Sequence, residues 1–93
     1  MVLYTASIQH GGMAKPSPIH AGDPVLVSIG SVIRELRTER GLSQEGLAHE
    51  AGVDRSYMGG IERGEHNITI LNLRRICECL GVSMGALLRQ ADC

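Results

Sequence analysis

The chain has 93 residues and a formal net charge of -1, so we expect a single domain without the overall positive field that draws many proteins to nucleic acid. Its only aromatic residues are two tyrosines, which favours a core of packed aliphatic helices over an aromatic-rich β-sandwich. Three cysteines without CxxC spacing and four scattered histidines predict no metal site and no cofactor, and no apolar run reaches the length of about 18 residues that predicts a membrane span.

Residues 1–22 differ in composition from the rest of the chain. The stretch GGMAKPSPIHAG is rich in glycine, alanine and proline and has no hydrophobic periodicity, which predicts a flexible N-terminal arm. Two alternatives stay open within this arm. Residues 4–8 could pair as a short strand, and Met13 could be an alternative start.

The first predicted helix begins at Asp23 and Pro24 and ends at Gly41. Aspartate is a good N-cap, proline is favoured at the first helical position, and glycine commonly ends a helix. Apolar residues recur at three- and four-residue spacing on one face, and charged residues fill the other, which predicts an amphipathic helix. The inward positions are Leu26, Ile29, Val32, Ile33 and Leu36.

Two short helices come next along the chain. Ser43 caps the first of them and Gly52 ends it, then Asp54 caps the second and Gly64 closes it. Two short helices joined by a tight turn that contains glycine form a helix-turn-helix.

The last two predicted helices begin at the caps Thr69 and Ser83, and Gly81 ends the earlier one. Their inward residues are Ile70, Leu73, Ile76, Cys77 and Leu80 in the fourth helix and Met84, Leu87 and Leu88 in the fifth. The chain is therefore predicted to be all-α, with five helices between about 23 and 91 in a domain that spans 23–93.

The segment IRELRTERGLSQEGLAHEAGVDRSYMGGIERGEHNITILNLRRICECLGVSMGALL resembles the Cro/repressor-type (XRE) helix-turn-helix family over roughly 28–90. The variant DRSY…IERGEHNIT looks most like the controller proteins of restriction–modification systems. This resemblance implies a five-helix, lambda-repressor-like fold. It also implies a cytoplasmic, non-enzymatic transcription regulator that binds double-stranded DNA.

In this family the third helix lies in the major groove and its first turn reads base edges. By position, the resemblance gives this role to Arg55, Ser56 and Tyr57, and Gly60 matches a position that reads bases in some phage repressors. The chemistry agrees, because arginine can bind guanine with two hydrogen bonds and serine can serve either kind of base pair.

Contacts with the DNA backbone are implied at the start of the second helix and just after the third. The residues matched to this role are Ser43, Gln44, Arg63, His66 and Asn67. The resemblance also implies a partly buried ion pair between Arg37 and Glu62, which would lock the reading helix onto the domain.

The paired glycines Gly59 and Gly60 are unexpected, because each costs roughly 1 kcal/mol relative to alanine in a helix. Met58 and Ile61 should face the core, which leaves the glycines on or beside the outward face. Two interpretations stay open: close approach of the backbone to DNA, or close helix packing at Gly59.

A homodimer on a two-fold operator is expected, because a net charge of -1 gives weak affinity for random DNA and two reading heads double the contacts. Met84, Leu87 and Leu88 on the fifth helix are the predicted interface, with further apolar surface on the fourth helix, although some of these residues must complete the core of the monomer. The resemblance implies autoregulation of its own promoter and, as a second expectation, control of a restriction–modification operon.

Two rival functions remain. An antitoxin-type repressor would share the fold and also bind a toxin protein, and a degenerate domain would have lost DNA binding. Neighbouring genes would separate the controller from the antitoxin, and DNA binding itself would exclude the degenerate domain.

Overall fold

The computed structural model describes residues 15–93, and this part of the chain contains five α-helices and no strand. The helices are α1 (Pro24–Glu39), α2 (Gln44–Ala51), α3 (Arg55–Glu62), α4 (Ile70–Leu80) and α5 (Met84–Gln90). The predicted all-α fold is confirmed. The alternatives at 4–8 and at Met13 lie outside the described residues.

Every helix begins at the cap that the sequence predicts. The side chains of these caps accept a hydrogen bond from a backbone N–H in the first turn, and the caps are Asp23, Ser43, Asp54, Thr69 and Ser83. Each such cap contributes about 1 kcal/mol to stability. The Ser43 cap forms although Gly46 replaces the glutamate of a capping box, since Ser43 Oγ accepts from Gly46 N at 2.9 Å.

The core is aliphatic, as the composition predicts. Its fully buried side chains come from all five helices and are Ile33, Leu47, Met58, Ile76, Cys77, Leu80 and Leu87. α3 packs against α1 and α2, α4 packs against α2, and α5 packs against α1 and α4.

Gly30 sets how closely α1 approaches the end of α3. A Cβ atom at Gly30 would lie 2.3 Å from the carbonyl oxygen of Ile61, far inside van der Waals contact. The absent side chain therefore allows α1 to cross directly over the last turn of α3. The sequence analysis did not single out this glycine.

The residues just before α1 are held on the turn that follows α3. Ser17 N donates to Glu65 O at 2.8 Å, and Gly22 N donates to Gly64 O at 2.8 Å. Residues 17–22 therefore lie against the domain through backbone hydrogen bonds. Residues 1–14 of the predicted arm lie outside the described residues.

Candidate nucleic-acid interface

α2 and α3 form a helix-turn-helix whose turn is made by Gly52 in the left-handed conformation, with φ +73°. Asp54 then fixes the first turn of α3, because its Oδ2 accepts from Ser56 N at 3.1 Å and from the Ser56 hydroxyl. The hydrogen bond from the Ser56 hydroxyl is the main cause that lowers the pKa of Asp54 below its usual value. The carboxylate is thus well suited to cap the helix.

A buried polar network locks α3 to α1 and α2. Arg37 Nε donates to Glu62 Oε2 at 2.6 Å, and Arg37 Nη2 donates to Glu62 Oε1 at 3.1 Å. Arg37 Nη1 also donates to the Leu42 carbonyl at 2.8 Å. The side chains of Arg37 and Glu62 are only 11% and 2% exposed, so the predicted ion pair is confirmed. Each guanidinium nitrogen and each carboxylate oxygen of the pair has a hydrogen-bond partner.

Gln44 joins the same network instead of pointing only outward. Its Nε2 donates to Glu62 Oε1 at 3.0 Å, which ties the first residue of α2 to the last residue of α3. Gln44 is half-buried, whereas its neighbour Ser43 is exposed. The backbone contacts predicted for these two residues stay predictions.

Arg55 and Ser56 form the accessible first turn of α3. Arg55 is exposed and Ser56 is half-buried, so both lie where the sequence predicts the base-reading residues. The polar network of Arg37, Gln44 and Glu62 at the other end of α3 fixes the orientation of the helix, and therefore of this first turn.

Tyr57 does not share that accessibility, which corrects the base-reading role predicted for it. The residue is 6% exposed, its hydroxyl oxygen accepts from Asn72 Nδ2 at 3.2 Å, and burial raises its pKa. Asn72 is in turn held by Arg75 Nη2, which donates to Asn72 Oδ1 at 2.7 Å. In this position Tyr57 supports α3 from beneath, and its hydroxyl binds Asn72.

His66 is also buried, which corrects the DNA backbone contact predicted for it. It is 8% exposed, and its ring centroid lies 4.7 Å from that of Tyr57 with an angle of 41° between the planes. His66 Nε2 is buried without a hydrogen-bond partner among the described residues. Burial is the main cause that lowers the pKa of His66 below 6.5.

The paired glycines, which were predicted to lie on or beside the outward face of α3, are covered by side chains from outside that helix. Both residues are buried. A Cβ at Gly60 would lie 2.3 Å from His66 Nε2, and a Cβ at Gly59 would lie 3.1 Å from Arg63 Nη1 and 3.3 Å from Gln44 Oε1. The glycines therefore make room for the side chains of other residues of this chain.

The turn after α3 presents two exposed polar residues, Arg63 and Asn67. Arg63 Nε donates to Glu65 Oε2 at 2.9 Å and Arg63 Nη2 donates to Glu65 Oε1 at 3.2 Å. This pair raises the pKa of Arg63 and lowers that of Glu65, in each case chiefly through the hydrogen bond between them. Both exposed residues remain available for the DNA backbone contacts predicted for them.

Comparison with known proteins agrees with this geometry. A family model described as helix-turn-helix matches residues 33–87, which is more than half of the chain. The chain belongs to this helix-turn-helix family.

Three of the most similar proteins are restriction–modification controllers or are named control proteins. The chain is 34% identical to control protein C.MunI of Mycoplasma sp over 68% of this chain and 86% of the relative. It is 38% identical to control protein C.BamHI of Bacillus amyloliquefaciens over 63% of this chain and 74% of the relative. The crystal structure of the restriction–modification controller C.AhdI from Aeromonas hydrophila matches with 47% identity and a TM-score of 0.65, covering 67% of this chain and 94% of that one.

In this helix-turn-helix chain the interface predicted on α5 is mostly internal. Leu87 is fully buried in the core, which corrects its assignment to a dimer surface, and Met84 and Leu88 are half-buried against the core. The large exposed apolar pair lies instead at the start of α4, where Ile70 is 66% and Leu71 is 61% exposed. This exposure corrects the inward position predicted for Ile70.

The described residues show neither a metal-binding cluster nor a membrane-spanning helix. Residues 15–93 contain no group of histidine, cysteine, aspartate and glutamate side chains arranged to hold a metal ion. Within the same part of the chain, no helix has the length and hydrophobicity needed to cross a lipid bilayer.

Proposed function

We propose that the protein is a site-specific transcription regulator that binds a two-fold DNA operator as a homodimer, with α3 in the major groove. The observation that carries the proposal is the exposed Arg55 on a helix that is capped at its start and locked at its end by Arg37, Gln44 and Glu62. A base-reading side chain discriminates well only when its helix is rigidly placed.

Each part of the interface has a chemical role in this proposal. Arg55 binds guanine O6 and N7 through two hydrogen bonds, and Ser56 serves as a second, less selective contact in the same turn. The phosphate contacts come from Ser43, Gln44 and Asn67, which flank α3. Tyr57 and His66 shape α3 from within the domain.

Dimer formation supplies the affinity that the charge of one domain does not. The chain carries a net charge of -1, so binding to random DNA is weak, and two reading heads about 34 Å apart add their contacts on one face of the duplex. The exposed pair Ile70 and Leu71 is the contact surface that we propose between the two copies, with the half-buried Met84 and Leu88 as further candidates.

The proposed biological role is control of its own promoter in the bacterial cytoplasm, within a restriction–modification operon. The support for this role is the similarity to C.MunI, C.BamHI and C.AhdI, which carry the control or controller description themselves. Binding that is coupled to dimerisation would make the response to protein concentration steep.

Selection of binding sites from a random-sequence DNA library tests the proposal. The wild-type protein should enrich an inverted repeat with half-sites about one helical turn apart. An Arg55→Ala variant should lose discrimination of about 1–3 kcal/mol at one base pair in each half-site. Enrichment of no sequence would contradict the proposal and direct the search to a protein partner, as in an antitoxin.

A further inference from the structure

Two positions of α3 and the residue that directly follows the helix share one outward strip. Arg55, Gly59 and Arg63 follow one another at four-residue spacing, which places them on the same face of a helix. Met58 and Ile61, which are 0% and 3% exposed, face the core. The strip is therefore the part of α3 that meets DNA if α3 enters the groove.

Arg63 reaches back over the middle of this strip. Its Nη1 atom lies 3.1 Å from the position that a Cβ of residue 59 would take. Helical side chains lean towards the N-terminus, so a long side chain from residue 63 covers the turn where residue 59 lies. The missing side chain at Gly59 is what leaves space for the guanidinium group.

Glu65 orients this guanidinium and leaves part of it open. The carboxylate binds Arg63 through Nε at 2.9 Å and Nη2 at 3.2 Å, which occupies two of the five N–H groups of an arginine. Residues 15–93 show no hydrogen bond to the other three N–H groups, and the Arg63 side chain is 60% exposed. Two parallel donors on one edge match the paired acceptors O6 and N7 of guanine.

We propose that Arg63 is a second base-reading residue, which binds a guanine in the major groove from the space above Gly59 while Glu65 fixes its orientation. This inference rests on the proposed function, because it needs α3 in the groove. One helical turn separates Gly59 from Arg55, about 6 Å along the axis, so the guanine should lie within about two base pairs of the one that Arg55 reads.

The pairing with Glu65 favours a base over a phosphate as the target. A phosphate contact gains mainly from net positive charge, which the Glu65 carboxylate largely cancels, and the carboxylate itself would repel a phosphate. A base contact depends instead on oriented donors, which the pairing supplies. Arg63, assigned by the sequence to the DNA backbone, thus takes a different role in this proposal.

Single base-pair substitutions in the duplex that the wild-type protein selects from a random library provide the test. For the wild type, replacing the guanine read by Arg63 should weaken binding about 5- to 100-fold. Arg63→Ala should lose this preference and keep the preference that belongs to Arg55. Arg63→Lys should also lose it, because lysine keeps the charge but lacks the planar pair of donors.

Gly59→Ala provides an independent test of the proposed contact between Arg63 and the guanine. The added Cβ meets only the ends of the Arg63 and Gln44 side chains, which have to shift by a few tenths of an ångström, so the thermal unfolding midpoint should change little while the same guanine preference falls. In the Arg63→Ala background Gly59→Ala should cause no further loss of that preference, since both changes act on one contact.

The outcomes separate this inference from the proposed function. If Arg63→Ala weakens binding equally for every duplex and reduces the salt slope by about one, Arg63 contacts a phosphate, and the inference is overturned while the proposed function stands. If Arg63→Lys keeps the guanine preference, the inference is also overturned. If the wild type prefers no sequence at all, the proposed function fails and the inference fails with it.

Discussion

At the scale of single residues, the glycine pair in α3 has a physical explanation that differs from the one its sequence suggested. Gly60 is buried beneath the His66 ring and Gly59 lies beneath Arg63 and Gln44. At Gly60 the cost of a glycine in a helix, roughly 1 kcal/mol, is thereby offset by packing against His66 that no larger residue would allow.

Gly60→Ala should lower the free energy of unfolding by up to about 2 kcal/mol. The new Cβ would lie 2.3 Å and 2.4 Å from two atoms of the His66 ring, and overpacking of this kind costs about 1–3 kcal/mol, less the gain in helix propensity. Urea unfolding at pH 7.5 would measure the loss.

Gly59→Ala is the matched control for that prediction, because its nearest atoms are the ends of flexible side chains at 3.1 Å and 3.3 Å. It should be neutral or slightly stabilising. Equal destabilisation by the two alanines would show that the His66 ring does not distinguish the two positions.

At the scale of secondary structure, the helices were predictable because their signals are local. Asp54 caps α3 and Thr69 caps α4 through side chains two or three residues from the N–H groups that they bind. Hydrophobic periodicity likewise needs only neighbouring residues.

The roles of Tyr57, His66 and Leu87 were not predictable in the same way, because burial depends on residues distant in the chain. Tyr57 is buried because Asn72, fifteen residues on, binds its hydroxyl. His66 reaches α3 only because the chain reverses at Gly64, where φ is +74°. Asn72, in the first turn of α4, binds the buried Tyr57 hydroxyl. In the sequence it resembles an ordinary surface asparagine, so it did not indicate this contact.

The segment after α3 should weaken as the pH falls below 6.5. Burial lowers the pKa of His66 in the folded protein, so the unfolded chain takes up the proton first and stability falls as the pH passes down through 6.5. Glu65 opposes this shift and Arg63 adds to it. Urea unfolding of the wild type at pH 7.5 and pH 5.5 should therefore show a loss of stability at the lower pH.

The His66→Gln variant should lose less stability between those two pH values than the wild type. His49→Gln is the matched control, since His49 is exposed on α2, and it should behave like the wild type. A loss in His66→Gln as large as in the wild type would place the titrating group elsewhere in the protein.

At the scale of the whole molecule, the proposal requires two copies of the domain to act together. The exposed apolar pair at the start of α4 follows directly after the turn that closes α3. If two copies contact each other through Ile70 and Leu71, their α3 helices are joined near the helix ends. One operator can then bind both α3 helices.

Changing Ile70 and Leu71 to serine together should raise the dimer dissociation constant at least about tenfold, since each buried side chain of this size contributes about 1.5–3 kcal/mol. Sedimentation velocity would measure the dimer fraction. The unfolding midpoint of the monomer should change little, because both side chains are exposed.

Val25→Ser is the control for the dimer surface, because Val25 is 52% exposed but lies at the start of α1, and it should leave the dimer intact. If the double serine variant dimerises as well as the wild type, the contact between copies lies elsewhere, with Met84 and Leu88 the next residues to change.

The measurement that tests the central claim most directly is fluorescence anisotropy with DNA from just upstream of the protein's own gene. Random DNA, an Arg55→Ala variant and an Arg89→Ala variant are compared at two salt concentrations. Arg89 is exposed on α5, which packs on α1 and α4, so its loss removes the same charge away from α3.

The wild type and Arg89→Ala should bind the upstream DNA tightly and with a strong dependence on salt. Arg55→Ala should bind that DNA at least about fivefold more weakly. Equally weak binding of upstream and random DNA by all three proteins would contradict the claim that α3 reads an operator.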